Sequence, residues 1–180
     1  MKVISKKIIN KSEVRNILVR VTNWVGDMVM CLPALEAVRA NFPESSITAV
    51  ARPWVVPMIK NHPAVDHVIS LEKGRGLAGN LMAFGRVVRL IRSESYDIAF
   101  LFPNAFGAAL LAYLGGVKNR IGYNTDCRGF LLTHRVVRDE DVLKLHQVEY
   151  YLSILRAMGW GAEKKDPALS IDENDTEDIR

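Results

Sequence analysis

The feature that most constrains this chain is an alternation: five short strand-like runs, the first of them apolar and rich in β-branched residues, separated by stretches of a different rhythm. The runs fall at residues 16–21 (NILVRV), 47–51, 65–71, 97–102 and 118–123, and the segments between them predict helices at 28–42, 53–61, 79–92 and 105–114. In the first helix Leu32, Leu35, Val38 and Phe42 recur at helical spacing. Pro33 is expected to kink it or to open its second segment, because an interior proline loses a backbone hydrogen bond. Gly115-Gly116 stops the fourth helix, residues 118–123 read as the last strand, and 142–158 reads as a final helix stopped by Gly159. Strands alternating with helices dictate an α/β fold: a Rossmann-like, doubly wound parallel sheet with helices on both faces.

With 180 residues and 49% hydrophobic content, the chain has the material for one globular domain with a real core. Its apolar runs are far shorter than the roughly 18 residues of a membrane span. Lys2, Lys6, Lys7 and Lys11 interrupt what would be the apolar part of a secretory signal, so a cytoplasmic location is expected. Cys31 and Cys127 form no C-x-x-C pair and have no metal-ligand spacing with the four histidines, which predicts two ordinary thiols and no metal site. Residues 1–162 carry 21 Lys and Arg against 13 Asp and Glu, whereas 163–180 carry 3 against 7. The chain therefore divides into a basic folded domain, 1–162, and an acidic segment, 163–180, that reads as a linker or the start of another unit with a strand core at 168–171. A basic body suits an anionic partner, but no compact patch interleaved with aromatics marks it for nucleic acid.

In a doubly wound sheet the ligand crevice lies beyond the carboxyl ends of the strands, where strand order reverses. The usual order places that point between strands 16–21 and 97–102, so the loops holding Thr22, Asn23, Gly26 and Asp27, and then Asn104, should face one cleft. The first loop has only Gly26 where a dinucleotide fingerprint needs three glycines, which disfavours NAD. Asp27 at the helix start reads equally as a proton acceptor and as a favourable first-turn acid. Asn104 reads as a crevice residue or as the cap of the next helix. Arg52, Arg75, Arg120 and Arg128 are expected to project toward one rim as an anion cradle, with Tyr123 and Trp24 stacking on a ring or covering the core edge. His146 reads as structural.

Four ordered segments carry a resemblance: ILVRVTNWVGDMVMCLPALEAVRANFP, SYDIAFLFPNAFGAALLAYLGGVKNRIGY, CRGFLLTHR and HQVEYYLSILRAMG. Together they resemble glycosyltransferase family nine, the ADP-heptose:lipopolysaccharide heptosyltransferases, with the branch that adds the second heptose the nearest likeness. The resemblance implies a GT-B architecture of two Rossmann-like domains, of which this chain is similar only to the N-terminal, acceptor-binding one. It implies inverting transfer of heptose from ADP-heptose to the lipid-linked inner core, with Asp27 as general base and no cofactor or metal. Thr22, Asn23, Gly26, Asn104 and Arg128 fall on motif positions that line the family's cleft. Arg52, Arg75, Arg120 and Tyr123 are added as further substrate contacts. The partners implied are the lipopolysaccharide acceptor, the nucleotide-sugar donor and a C-terminal donor domain, with peripheral membrane contact made through the acceptor. A whole enzyme of this kind is roughly twice as long, so the chain is expected to be a truncated piece, inactive by itself. The competing expectation is a noncatalytic module that binds an acidic glycolipid or another anion.

Overall fold

The computed structural model describes residues 2–5 and 7–163. Seven strands form one sheet: β1 (Val3–Ser5), β2 (Asn16–Arg20), β3 (Ser46–Ala51), β4 (His67–Ser70), β5 (Ile98–Leu101), β6 (Asn119–Tyr123) and β7 (His134–Val136). The helices are α1 (Val25–Asn41), α2 (Val56–Ile59), α3 (Gly76–Glu94), α4 (Phe106–Leu114), α5 (Glu140–Leu143) and α6 (Gln147–Ala157). Across the sheet the order is β1-β7-β6-β5-β2-β3-β4. The six strands from β2 onward are parallel, and counted from β2 they run 3-2-1-4-5-6, the doubly wound order. Only β1 is antiparallel, pairing Val3 with Val136 at one edge.

Period-two alternation distributes the strand side chains between two cores. Ile17, Val19, Ile47, Ala49, Ile98, Phe100 and Tyr123 point to one face, where they meet Leu32, Leu35 and Val38 of α1 and Leu152, Ile154 and Leu155 of α6. Leu18, Val50, Ala99 and Leu101 point to the other, against Val87 and Ile91 of α3 and Ala109, Leu111 and Ala112 of α4. Burial on both faces explains why these strands read as continuous apolar runs. Phe100 anchors the first core, with its ring 6.4 Å from Phe102 and 5.8 Å from Trp160.

The structure departs from the sequence reading in four places. Pro33 does not break its helix: α1 runs unbroken from Val25 to Asn41, with Pro33 buried inside it. The strand at 119–123 is not the last, because β7 follows after a crossover that holds only a 3₁₀ turn, Gly129–Leu131, instead of a helix. β1 completes the far edge. The final helix is two helices, α5 and α6, each with its own cap: Asp139 accepts from the Val142 amide at 3.0 Å and His146 Nδ1 from the Val148 amide at 3.4 Å. His146 thus takes the structural role expected of it. Gly159 ends α6 in a left-handed conformation (φ +76°), with the Trp160 amide donating to Leu155 and the Gly159 amide to Arg156. The strand core expected at 168–171, and the acidic segment beyond Glu163, lie outside the described residues. Among the described residues no helix is long and apolar enough to cross a membrane.

Candidate functional site

Strand order reverses between β2 and β5, and the loops that leave their carboxyl ends wall a pocket of about 270 Å³. The β2–α1 loop supplies Thr22, Asn23, Trp24 and Asp27, the β5–α4 loop supplies Pro103, Asn104 and Ala105, and α6 closes the side with Gln147, Tyr150 and Tyr151. Asp27 and Asn104 do face one cleft. The volume is just below the roughly 300–1,000 Å³ of a complete small-molecule site, as suits one wall of a cleft.

Asp27 lies in the first turn of α1, half-buried. The helix takes Trp24 as its N-cap without a side-chain hydrogen bond, so Asp27 is not its cap. Among the described residues no side-chain hydrogen bond or ion pair engages the Asp27 carboxylate. Both oxygens are therefore free to accept a proton from a ligand. Its charge is felt nearby: burial first, and then Asp27, push the Cys31 thiol up. Gly26, expected as a contact, is not among the residues that line the pocket, whereas Trp24, 72% exposed, is.

Asn104 does not cap α4, whose N-cap is Ala105. Its amide nitrogen donates to the Tyr150 hydroxyl at 2.8 Å, and its carbonyl oxygen accepts from Arg128 Nη2 at 3.4 Å. Arg128 is wholly buried. Its Nε donates to the Tyr123 carbonyl at 3.0 Å and its Nη1 to the Pro103 carbonyl. Burial lowers its pKa to about 10, so it stays charged at neutral pH. Arg128 acts on the cleft from behind, by holding the Pro103-Asn104 turn, and is not an open anion contact.

The other expected contacts divide. Tyr123 is fully buried, stacks on Tyr150 at 4.4 Å and donates its hydroxyl to the Tyr150 carbonyl at 2.7 Å, which corrects its reading as a substrate contact. Arg120 sits near the amino end of β6, away from the rim, donating to the carbonyls of Leu131 and Val117 and lying over the Tyr113 ring. The expected four-arginine rim therefore does not form. Arg75 is exposed at the N-cap of α3, after the outermost strand β4, and lines no pocket near the switch point. Arg52 does reach the crevice. It lines a second pocket, about 310 Å³, that shares Asn23, Pro103 and Ala105 with the Asp27 pocket and adds Arg20 and Lys73.

Sequence reasoning missed Gln147, Tyr150 and Tyr151, because α6 reads as an ordinary core helix whose end happens to meet the switch point. It also missed Arg20. There the signal was present: one charge inside a strand buried on both faces. A larger concavity, about 630 Å³, lies between the N-terminal segment and the amino ends of β5 and β6. Ligands of open parallel sheets bind at the opposite, carboxyl edge, and of the two carboxylates here Asp97 is committed to Lys118 and Glu13 accepts from Asn10. Among the described residues no group of three His, Cys, Asp or Glu side chains is arranged to hold a metal.

The profile of glycosyltransferase family 9 (heptosyltransferase) matches residues 84–179. Lipopolysaccharide heptosyltransferase 2 of Salmonella typhimurium is 30% identical over 166 residues, covering 88% of this chain and 47% of that protein. Among solved structures, the ADP-heptose lipopolysaccharide heptosyltransferase II of Escherichia coli superposes with a TM-score of 0.72 at 25% identity, over 90% of this chain and 48% of that one. A family 9 glycosyl transferase from Veillonella parvula superposes at 0.79 with 20% identity, over 90% of this chain and 46% of that one, a likeness of fold alone. Fold and crevice together define one Rossmann-like half of a GT-B glycosyltransferase. The chain belongs to glycosyltransferase family 9, the heptosyltransferases, and spans less than half the length of these relatives.

Proposed function

We propose that this chain is the acceptor-side domain of an inverting glycosyltransferase that moves heptose from ADP-heptose to the inner core of lipopolysaccharide. One observation carries the reading: an uncommitted carboxylate, Asp27, at the switch-point pocket of a family 9 fold. Asp27 takes the proton of the acceptor hydroxyl as that oxygen attacks the anomeric carbon. The bond from that carbon to the ADP oxygen breaks, ADP leaves from the opposite face with the electron pair, and the anomeric configuration inverts. Asn104, fixed by Tyr150 and Arg128, and Thr22 and Asn23 from the first loop position the acceptor sugar. The donor is held mainly by a second domain that closes over this cleft and excludes water. The reaction takes place in the cytoplasm, and the enzyme meets the membrane through its lipid-linked acceptor.

The test is transfer of heptose by a form that includes both domains. Asp27→Asn keeps acceptor binding and loses about 100-fold or more in kcat, the scale of a general base. Transfer at the unaltered rate in that variant refutes the role of Asp27, and turnover of ADP-heptose by the 180-residue chain alone refutes the need for a second domain to hold the donor.

A further inference from the structure

Arg20 is 4% exposed, on the face of β2 that turns toward α3 and α4. Its Nη1 donates to the carbonyls of Val21 and Val50, the latter at 3.1 Å, and its Nη2 to the Asn23 side-chain oxygen. All three acceptors are neutral. Arg52 stands close by and donates from Nη1 to the Leu71 carbonyl at 2.9 Å, another neutral acceptor. Among the described residues, no carboxylate lies within 4.0 Å of either guanidinium. Burial, and after it the charge of Arg52, lower the pKa of Arg20 to about 10, which leaves Arg20 charged at neutral pH. A buried charge such as Arg20 is ordinarily paired, and the half-buried Arg52 repels it instead.

Both residues line one space and keep donors that no group of the protein takes up. A guanidinium has five N–H groups. Arg20 uses three on the protein and Arg52 one, which leaves two and four. Both side chains line the cavity of about 310 Å³ together with Lys73, Glu72 and the opening residues of α4, Ala105, Gly107 and Ala108. That helix has no side-chain cap, and Gly107 has only open space where a side chain would stand. The Ala108 amide is taken by the Ala105 carbonyl at 3.1 Å, and the Gly107 amide, in the uncapped first turn, adds a donor to the pocket lining. Three cations against Glu72 give the lining a net charge of +2. A phosphate monoester dianion balances this, whereas a carboxylate leaves one charge over.

We infer that the pocket between Arg20, Arg52, Lys73 and the start of α4 binds the phosphate group of a phosphorylated acceptor, next to the Asp27 cleft. Its position follows from the structure alone, while the acceptor as source of the phosphate rests on the function proposed above. Since the pocket shares Asn23, Pro103 and Ala105 with that cleft, a phosphate seated here fixes a neighbouring sugar ring relative to the Asp27 carboxylate.

Calorimetric titration of the 180-residue chain with inorganic phosphate, glucose 6-phosphate and acetate tests this directly. Phosphate and the sugar phosphate bind saturably, the sugar phosphate more tightly, and acetate binds about tenfold more weakly than either. Arg20→Ala risks the fold, so the decisive variants are Arg52→Ala and Lys73→Ala, with circular dichroism as the control for folding. Each weakens sugar-phosphate binding about fivefold to tenfold. Absence of saturable phosphate binding at millimolar concentration overturns the inference, as does equal affinity in Arg52→Ala or acetate binding as tight as phosphate. Inorganic phosphate binding more tightly than the sugar phosphate overturns the acceptor as its source. Failure here leaves the role of Asp27 intact, and retention of transfer by Asp27→Asn leaves this pocket intact, so the two readings fail separately.

Discussion

Replacing Arg128 by Met isolates what the buried guanidinium does, because Met fills part of the same volume and forms none of its hydrogen bonds. Three acceptors lose a donor: the carbonyls of Tyr123 and Pro103 and the side chain of Asn104. Hydrogen bonds from a charged donor contribute about 1.5–3 kcal/mol each. At 3.4 Å the Asn104 bond is at the limit of length and counts for little. The other two sum to about 3–6 kcal/mol. Two effects reduce this: the Tyr123 carbonyl keeps the Thr125 amide at 3.0 Å, and removing a fully buried charge returns part of its desolvation cost. A net loss of about 2–4 kcal/mol remains. With a urea dependence of about 2 kcal/mol per molar, the unfolding midpoint falls by about 1–2 M. Amide exchange across residues 104–107 speeds up beyond the global change, because the turn has lost its anchor. A midpoint shift under about 0.3 M, with unchanged exchange in that turn, refutes the claim that Arg128 holds the wall of the cleft.

Asp97 accepts from the amides of Arg15 (2.8 Å) and Asn16 (3.1 Å) and from Lys118 (2.8 Å), tying the amino ends of β2, β5 and β6 together. Burial pushes its carboxyl up, but Lys118 and the two amides outweigh this and hold it below the usual carboxylate range. A lowered folded-state pKa stabilises the protein above the unfolded value of about 4, and this contribution is lost as pH falls through the folded value. Asp97→Asn therefore costs about 1–3 kcal/mol at pH 7 and flattens the decline in stability below pH 4, as denaturation at a series of pH values measures. Tyr123→Phe removes a buried hydroxyl whose acceptor, the Tyr150 carbonyl, keeps Ser153 at 2.8 Å. Stability falls by about 1 kcal/mol, and in the two-domain enzyme KM for the acceptor stays within about twofold; a tenfold rise restores Tyr123 as a substrate contact.

Most of the architecture was legible because strands buried on both faces leave predominantly apolar runs, and β2, β3 and β5 each left one. β1 and β7 left no such trace: three residues each, carrying Ser5, His134 and Arg135, are too short for any period to register. The expectation that a helix precedes every parallel strand hid β7 further, since its crossover contains only a 3₁₀ turn. The break between α5 and α6 falls at Lys144-Leu145-His146, with neither glycine nor proline to mark it. In the cleft, the topology rule brought Asp27 and Asn104 together from loops that are far apart in sequence. The arginines failed because loop position does not tell a donor facing solvent from one consumed by backbone carbonyls. Arg120 and Arg128 both proved to be of the second kind.

One wall of the Asp27 pocket arrives late. Gln147, Tyr150 and Tyr151 lie about 120 residues beyond the carboxylate they flank, and chains are synthesised at about 5–20 residues per second. For some 6–25 s on the ribosome, the β2–α1 turn and the underside of α1 stay uncovered, Cys31 and Leu35 among the apolar side chains waiting for α6. A factor that shields that stripe during translation is thus expected to raise the yield of folded chain more than one that acts after release.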